Sequence, residues 1–306
     1  MQTAYISHVA CREHDAGPWH PEAPGRLAAI EDYLIATGLD SLLRHYEAPV
    51  ATREQLLRVH DADYLDALDA RSPEHGMVHV DPDTAMNPHT LDAARRAAGA
   101  VVKAVDLVLA GEVRNAFCGV RPPGHHAERR RAMGFCFYNN VAVGAAHALA
   151  SGQVERVAIV DFDVHHGNGT EQIFHHNVQV LFCSSFQHPF YPYTDLNFHA
   201  SNVIHAPIAA GLGSEAFRVA VDEIWLPALA RFAPQMLFVS AGFDAHRDDE
   251  LAQLCLTEDD YAWVTRVICE VAARHARGRI VSVLEGGYDL SALARSVRAH
   301  LDVLLS

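Results

Sequence analysis

Several large classes of protein are excluded by what the chain lacks. No apolar run approaches the roughly 18 residues of a membrane-crossing helix. The most apolar helix-like stretch, residues 97–111, is interrupted by Lys103 and Asp106, so no membrane partner is expected. Residues 1–10 carry no positive region followed by an apolar block, which argues against a secretory signal. Positive charge is scarce: 24 Lys and Arg stand against 38 Asp and Glu, a formal net charge of −14. Nucleic acid is therefore not expected as a partner, because its binders usually show a basic face. There is no internal repeat, low-complexity tract or Gly/Ser linker, and residues 1–306 are expected to form one domain. The six cysteines, at 11, 118, 136, 183, 255 and 269, contain no CxxC pair. Buried free thiols in a reducing compartment, and hence a cytoplasmic protein, are expected.

What is present is a chain able to build a large core: half its residues are hydrophobic and a fifth are charged. Apolar strand-like runs at 4–7, 116–120, 156–161, 179–184, 236–241 and 280–284 alternate with amphipathic helical patterns. That alternation predicts a parallel sheet covered on both faces. Residues 93–109 place Ala94, Ala98, Val101, Val105 and Leu109 on one helical face. Thr257 and Asp260 have the spacing of a capping box that opens a helix running to about 274. Leu290, Leu293, Ala294, Val297, Leu301 and Leu304 form a last apolar stripe. Residues 187–202 show neither period and are expected to form an aromatic-rich loop, a common form for a functional rim.

Chemistry-bearing residues collect where the strands end. Arg121-Pro-Pro-Gly-His125-His126 follows the second run, and Asp161-Phe-Asp163-Val-His165-His-Gly-Asn168-Gly closes the third. Gly242-Phe-Asp244-Ala-His246 and Glu285-Gly-Gly-Tyr288 follow the last two. Ligands of open parallel sheets bind beyond the carboxyl ends of the strands. If the stretch 161–165 stays extended, Asp161, Asp163 and His165 share one side. Two carboxylates and an imidazole suit a divalent metal such as zinc, with a position left open for water, and Asp244 is the natural further ligand. An Asp/His network capping the helix that starts near Gly169 is the alternative. Of the adjacent histidines, one could serve as general base and the other could stabilise charge, each oriented through its second nitrogen by Asp161 or Asn168. The Tyr288 phenol could polarise a carbonyl.

Together with Gly134-Phe-Cys136, Asn139-Asn140 and His20-Pro-Glu with Arg26, these motifs resemble the zinc-dependent histone deacetylase family over almost the whole chain. The resemblance is greatest to class II-like bacterial members, near the acetylpolyamine amidohydrolases. It implies a single-domain, three-layer α/β fold of the arginase/deacetylase type, with a mostly parallel sheet of about eight strands and helices on both faces. By the same resemblance Asp163, His165 and Asp244 would ligate one catalytic zinc ion. His126 would be the main general base and acid, with His125 beside it. His125 would bond to Asp161 and His126 to Asn168, and Tyr288 would polarise the acetyl carbonyl. Gly134, Phe135 and Tyr191 would line an acyl-lysine tunnel, with Leu251 at its rim. Asp161, Ser184 and the carbonyls of Asp163 and His165 would hold a structural potassium ion. Arg26 would face an internal acetate channel, and Asp83-Thr84 would contact the substrate.

The implied reaction is hydrolysis of the acetamide of acetyl-lysine in peptides or proteins, with an acetylated polyamine as the alternative substrate. The oligomeric state is open, a homo-oligomer included. Two departures from the family pattern fall on the rim: Tyr193-Thr-Asp-Leu-Asn replaces a Gly-rich turn, and Glu250 stands where Pro is frequent. An arginase-type two-metal hydrolase is disfavoured because no carboxylate follows His165 until Glu171. A binding module without activity is disfavoured by the full set of ligands, histidines and tyrosine.

Overall fold

Each of the six apolar runs becomes a strand of a central sheet. The computed structural model describes residues 2–306; Met1, the start of the segment read as free of a signal, lies outside the described residues. The strands are β1 (Thr3–Ser7), β2 (Arg44–Glu47), β3 (Val78–Asp81), β4 (Thr84–Met86), β5 (Asn115–Cys118), β6 (Val157–Asp161), β7 (Val180–Gln187), β8 (Val203–Ile208), β9 (Met236–Ala241) and β10 (Ile280–Leu284). Eight of them form one sheet in the order β2-β1-β5-β10-β9-β6-β7-β8. Every pairing in it is parallel. β3 and β4 make a separate antiparallel hairpin.

The helices are α1 (Gly25–Ala36), α2 (Arg53–Leu57), α3 (Ala62–Arg71), α4 (Thr90–Leu109), α5 (Asn140–Ala150), α6 (Asn168–Phe174), α7 (Ser214–Val219), α8 (Leu226–Phe232), α9 (Glu258–His275) and α10 (Leu290–Leu305). α4 and α5 pack on each other and on the sheet, while α1, α9 and α10 form a second group. Central strands covered in this way bury both faces, and β5, β6, β9 and β10 are buried at every residue. Thr257 and Asp260 form the expected capping box of α9. Among the described residues, no helix is long and apolar enough to cross a membrane.

The four strands that lead into the chemical motifs, β5, β10, β9 and β6, are consecutive at the centre of the sheet. Their carboxyl ends therefore deliver His125-His126, Tyr288, Asp244 and Asp163-His165 to one place. Some expectations are corrected. β6 stops at Asp161, so the 161–165 stretch is not extended to its end and turns instead. Gln187 is the buried last residue of β7, so the aromatic loop starts at 188. Leu290 opens α10 but is 44% exposed, so it is not part of the buried stripe. All six cysteines are free, yet only Cys11, Cys118, Cys136 and Cys183 are buried, and Cys255 is exposed.

Candidate active site

Three donor groups from two neighbouring strand ends converge. His165 Nδ1 lies 3.1 Å from Asp163 Oδ1 and 3.2 Å from Asp244 Oδ2. These atoms fit within 4.8 Å of one another, and both carboxylates are buried. The turn after Asp161 produces the convergence: Asp161 Oδ1 accepts the Asp163 N–H at 3.1 Å, and Asp163 Oδ1 accepts the His165 N–H at 2.9 Å. The other carboxylate oxygens are fixed too. Gly286 N–H donates to Asp163 Oδ2 at 2.8 Å, and Val164 N–H donates to Asp244 Oδ1 at 2.9 Å. Position 286 must be glycine, since a Cβ there would sit 2.1 Å from Asp244 Oδ2. Burial, together with the Asp163 charge, pushes the Asp244 carboxyl up to about 6. Crowded buried carboxylates of this kind are relieved by a cation, and two carboxylates with one imidazole fit a three-ligand divalent site with an open position.

The two adjacent histidines are shifted in opposite directions by their surroundings. His125 Nδ1–H donates to Asp161 Oδ2 at 3.0 Å, and Nε2 lies 3.8 Å from Asp163 Oδ2. Burial opposes its charge, but Asp163 and Asp161 outweigh burial and raise His125 to about 10. His126 has no carboxylate partner: burial and the neighbouring His125 and His165 hold it well below the ordinary range. Its Nδ1–H donates to Asn168 Oδ1 at 2.8 Å, and the Asn168 amide is oriented by donating to Glu128 Oε1 at 2.9 Å. A neutral imidazole with Nδ1–H engaged has its lone pair on Nε2.

That lone pair belongs to a narrow cavity of about 130 Å³ lined by Asp83, His126, Gly134, Phe135, His165, Tyr191, Leu251 and Tyr288. Tyr191 packs edge-on to His126, ring centres 5.3 Å apart, and Phe135 packs edge-on to Tyr288 at 5.9 Å. Phe135 has φ 69°, a left-handed conformation that side chains rarely adopt. Its N–H donates to Thr84 Oγ1 at 3.0 Å, and the Gly134 N–H donates to Asp83 Oδ1 at 3.2 Å. Asp83 and Thr84 thus hold the cavity wall. Gly134, at φ +56°, lets that wall lie against His126, because a Cβ would come within 2.4 Å of the ring. The Tyr288 hydroxyl is raised well above its ordinary range by burial, against the opposing Arg26 charge, so it stays a donor. Arg26 is fully buried, lies 4.9 Å from the centre of the Tyr288 ring, and donates to the carbonyls of Gly287 and Glu285 and to Glu22.

Residues 20–304 match the family model of the histone deacetylase domain. The chain belongs to the histone deacetylase family. A histone deacetylase-like amidohydrolase of Pseudomonas aeruginosa is 39% identical over 94% of this chain and 82% of its own length. A probable deacetylase of Archaeoglobus fulgidus is 37% identical over 95% of the chain and 82% of its length. The crystal structure of the HDA15 HD domain superposes with a TM-score of 0.93 at 36% identity, covering 99% of this chain and 88% of that one. Such relatives make the chain a hydrolytic enzyme of the deacetylase/amidohydrolase kind. Histone deacetylases are metal-dependent, and the donor cluster above is able to hold the ion.

Around this deacetylase centre lie further buried polar groups, among them Asp249, which sequence reasoning did not single out. Buried Asp249 accepts the N–H groups of Tyr288 and Asp289 on Oδ2, at 2.6 and 3.1 Å, and that of Leu251 on Oδ1 at 3.1 Å. One carboxylate so ties the tyrosine loop to the rim. Glu285 accepts the Gly124 and His125 N–H groups on Oε2 and the Ser240 hydroxyl on Oε1, and burial raises its carboxyl to about 7. Glu22 pairs with both Arg26 and Arg121. Asp161 and Ser184 are paired in register on β6 and β7. Among the described residues, nothing donates to the carbonyls of Asp163 and His165. These oxygens suit a monovalent cation, although the Ser184 hydroxyl also meets His166 Nδ1 at 3.0 Å. His246 pairs with Asp248 and Glu258, and among the described residues it joins no donor cluster with Asp163, His165 and Asp244.

Proposed function

We propose that this enzyme is a zinc-dependent deacetylase that hydrolyses the acetamide of acetyl-lysine side chains in peptides or proteins, giving acetate and a free amine. The observation that carries this is His126: a neutral base of fixed tautomer facing a narrow aromatic-walled cavity, between the three-donor cluster and a protonated tyrosine. Zinc on Asp163, His165 and Asp244 would supply a Lewis acid for the carbonyl and acidify a water. His126 Nε2 takes the proton of the attacking water and returns it to the departing nitrogen. Tyr288 donates its hydroxyl hydrogen to the oxygen that gains charge as water adds to the carbonyl. His125, whose ring is oriented by Asp161 and has its centre 4.0 Å from that of His126, is the second imidazole facing the reacting groups. Phe135 and Tyr191 flank the aliphatic stem of the lysine, and Leu251 keeps the mouth apolar. Asp161 and Ser184, with the carbonyls of Asp163 and His165, would hold potassium and brace the turn that carries the ligands. Arg26, beneath Tyr288, lines the exit for acetate.

Acetylpolyamine hydrolysis is the second reading. It is supported by the Asp83 carboxylate in the cavity lining and by exposed Glu250 beside Leu251, both of which favour a cationic chain. Its chemical feasibility in the family is indicated by a mouse relative named polyamine deacetylase HDAC10, 36% identical over 93% of this chain and 45% of its own length. Acetate release from matched panels of acetyl-lysine peptides and N-acetylated polyamines separates the two. A higher kcat/KM for peptides is expected. The reverse order would assign the polyamine activity, and no release from either by zinc-loaded protein would overturn both.

A further inference from the structure

A second cluster of donors lies behind the catalytic centre. His166 stands in the turn after β6, Glu171 in α6 and His205 in β8, the edge strand of the sheet. Glu171 Oε2 is 2.7 Å from His166 Nε2 and 2.6 Å from His205 Nε2. The two rings are perpendicular with centres 4.9 Å apart, so both Nε2 atoms aim at one carboxylate oxygen. Donor atoms of the three residues fit within 4.8 Å of one another.

We propose that His166, Glu171 and His205 form a separate binding site for one late first-row transition-metal ion, zinc in the first instance. Two imidazoles and a carboxylate are a recurrent three-ligand set for zinc, and a donor set dominated by nitrogen disfavours magnesium and calcium. Bond lengths of about 2.0–2.1 Å in a tetrahedron place ligand atoms roughly 3.3 Å apart. The present contacts therefore open by about 0.6 Å to admit the ion, a shift that small side-chain rotations supply. Ser184 Oγ, 3.0 Å from His166 Nδ1, can accept its hydrogen when Nε2 turns to the metal, the outer-shell partner that ligating histidines require. The Nε2 hydrogen then moves to Nδ1, with no net change in charge on the ring. His166 is clamped between Phe182 and Phe186, ring centres 5.7 and 4.6 Å away.

An entry path exists. His166 and Glu171 line a cavity of about 480 Å³, walled also by Glu128, Met133, His175 and Phe198. It shares no lining residue with the catalytic cavity. The fourth ligand position would be filled by water from that side. An ion here joins α6 to the edge strand β8, into which the aromatic loop after β7 leads. The expected effect is thermal stabilisation that grows with metal concentration.

The test uses metal-stripped protein titrated with Zn²⁺ alone by calorimetry, and with Co²⁺ followed by its visible spectrum. Wild type is expected to take up two equivalents. The Asp163→Ala/Asp244→Ala double variant is expected to keep one, with a Kd of about micromolar or tighter. Adding His205→Asn to that double variant should weaken this binding at least about 100-fold and abolish the metal-dependent rise in Tm. If the double variant does not fold, His205→Asn alone answers the question by reducing two equivalents to one. No equivalent kept by the double variant, or a metal stoichiometry indifferent to His205→Asn and Glu171→Gln in whichever background folds, overturns the proposal. Because the double variant lacks the catalytic ligands, failure of the catalytic assignment leaves its one-equivalent result intact.

Discussion

At the scale of single residues, each assigned role has its own readout. Asp163, His165 and Asp244 form the donor cluster proposed to hold the metal, and Asp163 Oδ2 is also the acceptor for the Gly286 N–H. Asp163→Ala should lose the catalytic ion, measurable by metal analysis after dialysis; full occupancy there would remove Asp163 from the ligand set. In the proposed mechanism Tyr288 acts only as charge develops on the carbonyl oxygen, so its loss should leave metal binding untouched. Tyr288→Phe should lower kcat about 10²–10³-fold, the usual cost of one oxyanion donor. Near-normal turnover would leave the phenol without a part in the reaction. These residues were legible in the sequence because each follows an apolar run closely enough to lie at its carboxyl end. Asp249 was not. Its partners at 288 and 289 are 39 and 40 positions away, and nothing in its own neighbourhood announces them.

At the scale of elements, Asp249 is the join between two loops. Its carboxylate satisfies three N–H groups, from Leu251, Tyr288 and Asp289, and so fixes the tyrosine relative to the rim. Asp249→Asn keeps the shape but turns one acceptor oxygen into a donor amide. We expect kcat to fall about tenfold, roughly 1.4 kcal/mol, with metal stoichiometry unchanged and Tm lowered by no more than a few degrees. A rise in KM at constant kcat would instead make Asp249 a determinant of substrate entry. The aromatic loop shows the limit of pattern reasoning at this scale. Its lack of either period located it correctly, but its boundaries depend on tertiary bonds: Gln187 N–H donates to the Val164 carbonyl, and Asn202 caps the carbonyls of Phe174, Asn177 and Val180. β8 follows directly after that loop and was missed because it is an edge strand interrupted by His205 and Pro207, the latter tolerated only where a ladder bond is not required. β2, with its sequence Arg-His-Tyr-Glu, is the polar opposite edge and was missed for the same reason.

For the whole molecule, the central strands could be read from the sequence because burial on both faces demands continuous apolar runs, whereas the buried polar groups that brace the layers could not. His300 is one of them. It stands on α10 and joins α9 to β10: Thr265 spends its hydroxyl hydrogen on the Tyr261 carbonyl, so its oxygen accepts the His300 Nδ1–H at 2.7 Å, and Ser282 donates to Nε2 at 2.9 Å. Burial alone lowers this histidine to about 3. His60 is a parallel case on the opposite side of the chemistry, accepting the Asn139 N–H on Nε2 and donating from Nδ1 to the Glu128 carbonyl, with burial lowering it to about 4. Both groups are neutral in the fold and free to take a proton once unfolded, near the ordinary value of about 6.5. The unfolded state therefore binds more protons below that pH, and stability is lost as pH falls from about 6.5 towards 4 for His60 and towards 3 for His300. Each contributes a slope of up to about 1.4 kcal/mol per pH unit in its window. His300→Asn removes one such proton. Its unfolding free energy, measured in urea from pH 7 to 4, should start below that of wild type and fall less steeply by about that amount per unit. Parallel profiles would mean that His300 is already protonated in the native protein, and the hydroxyl pair of Thr265 and Ser282 would then have to be holding a charge rather than a neutral ring.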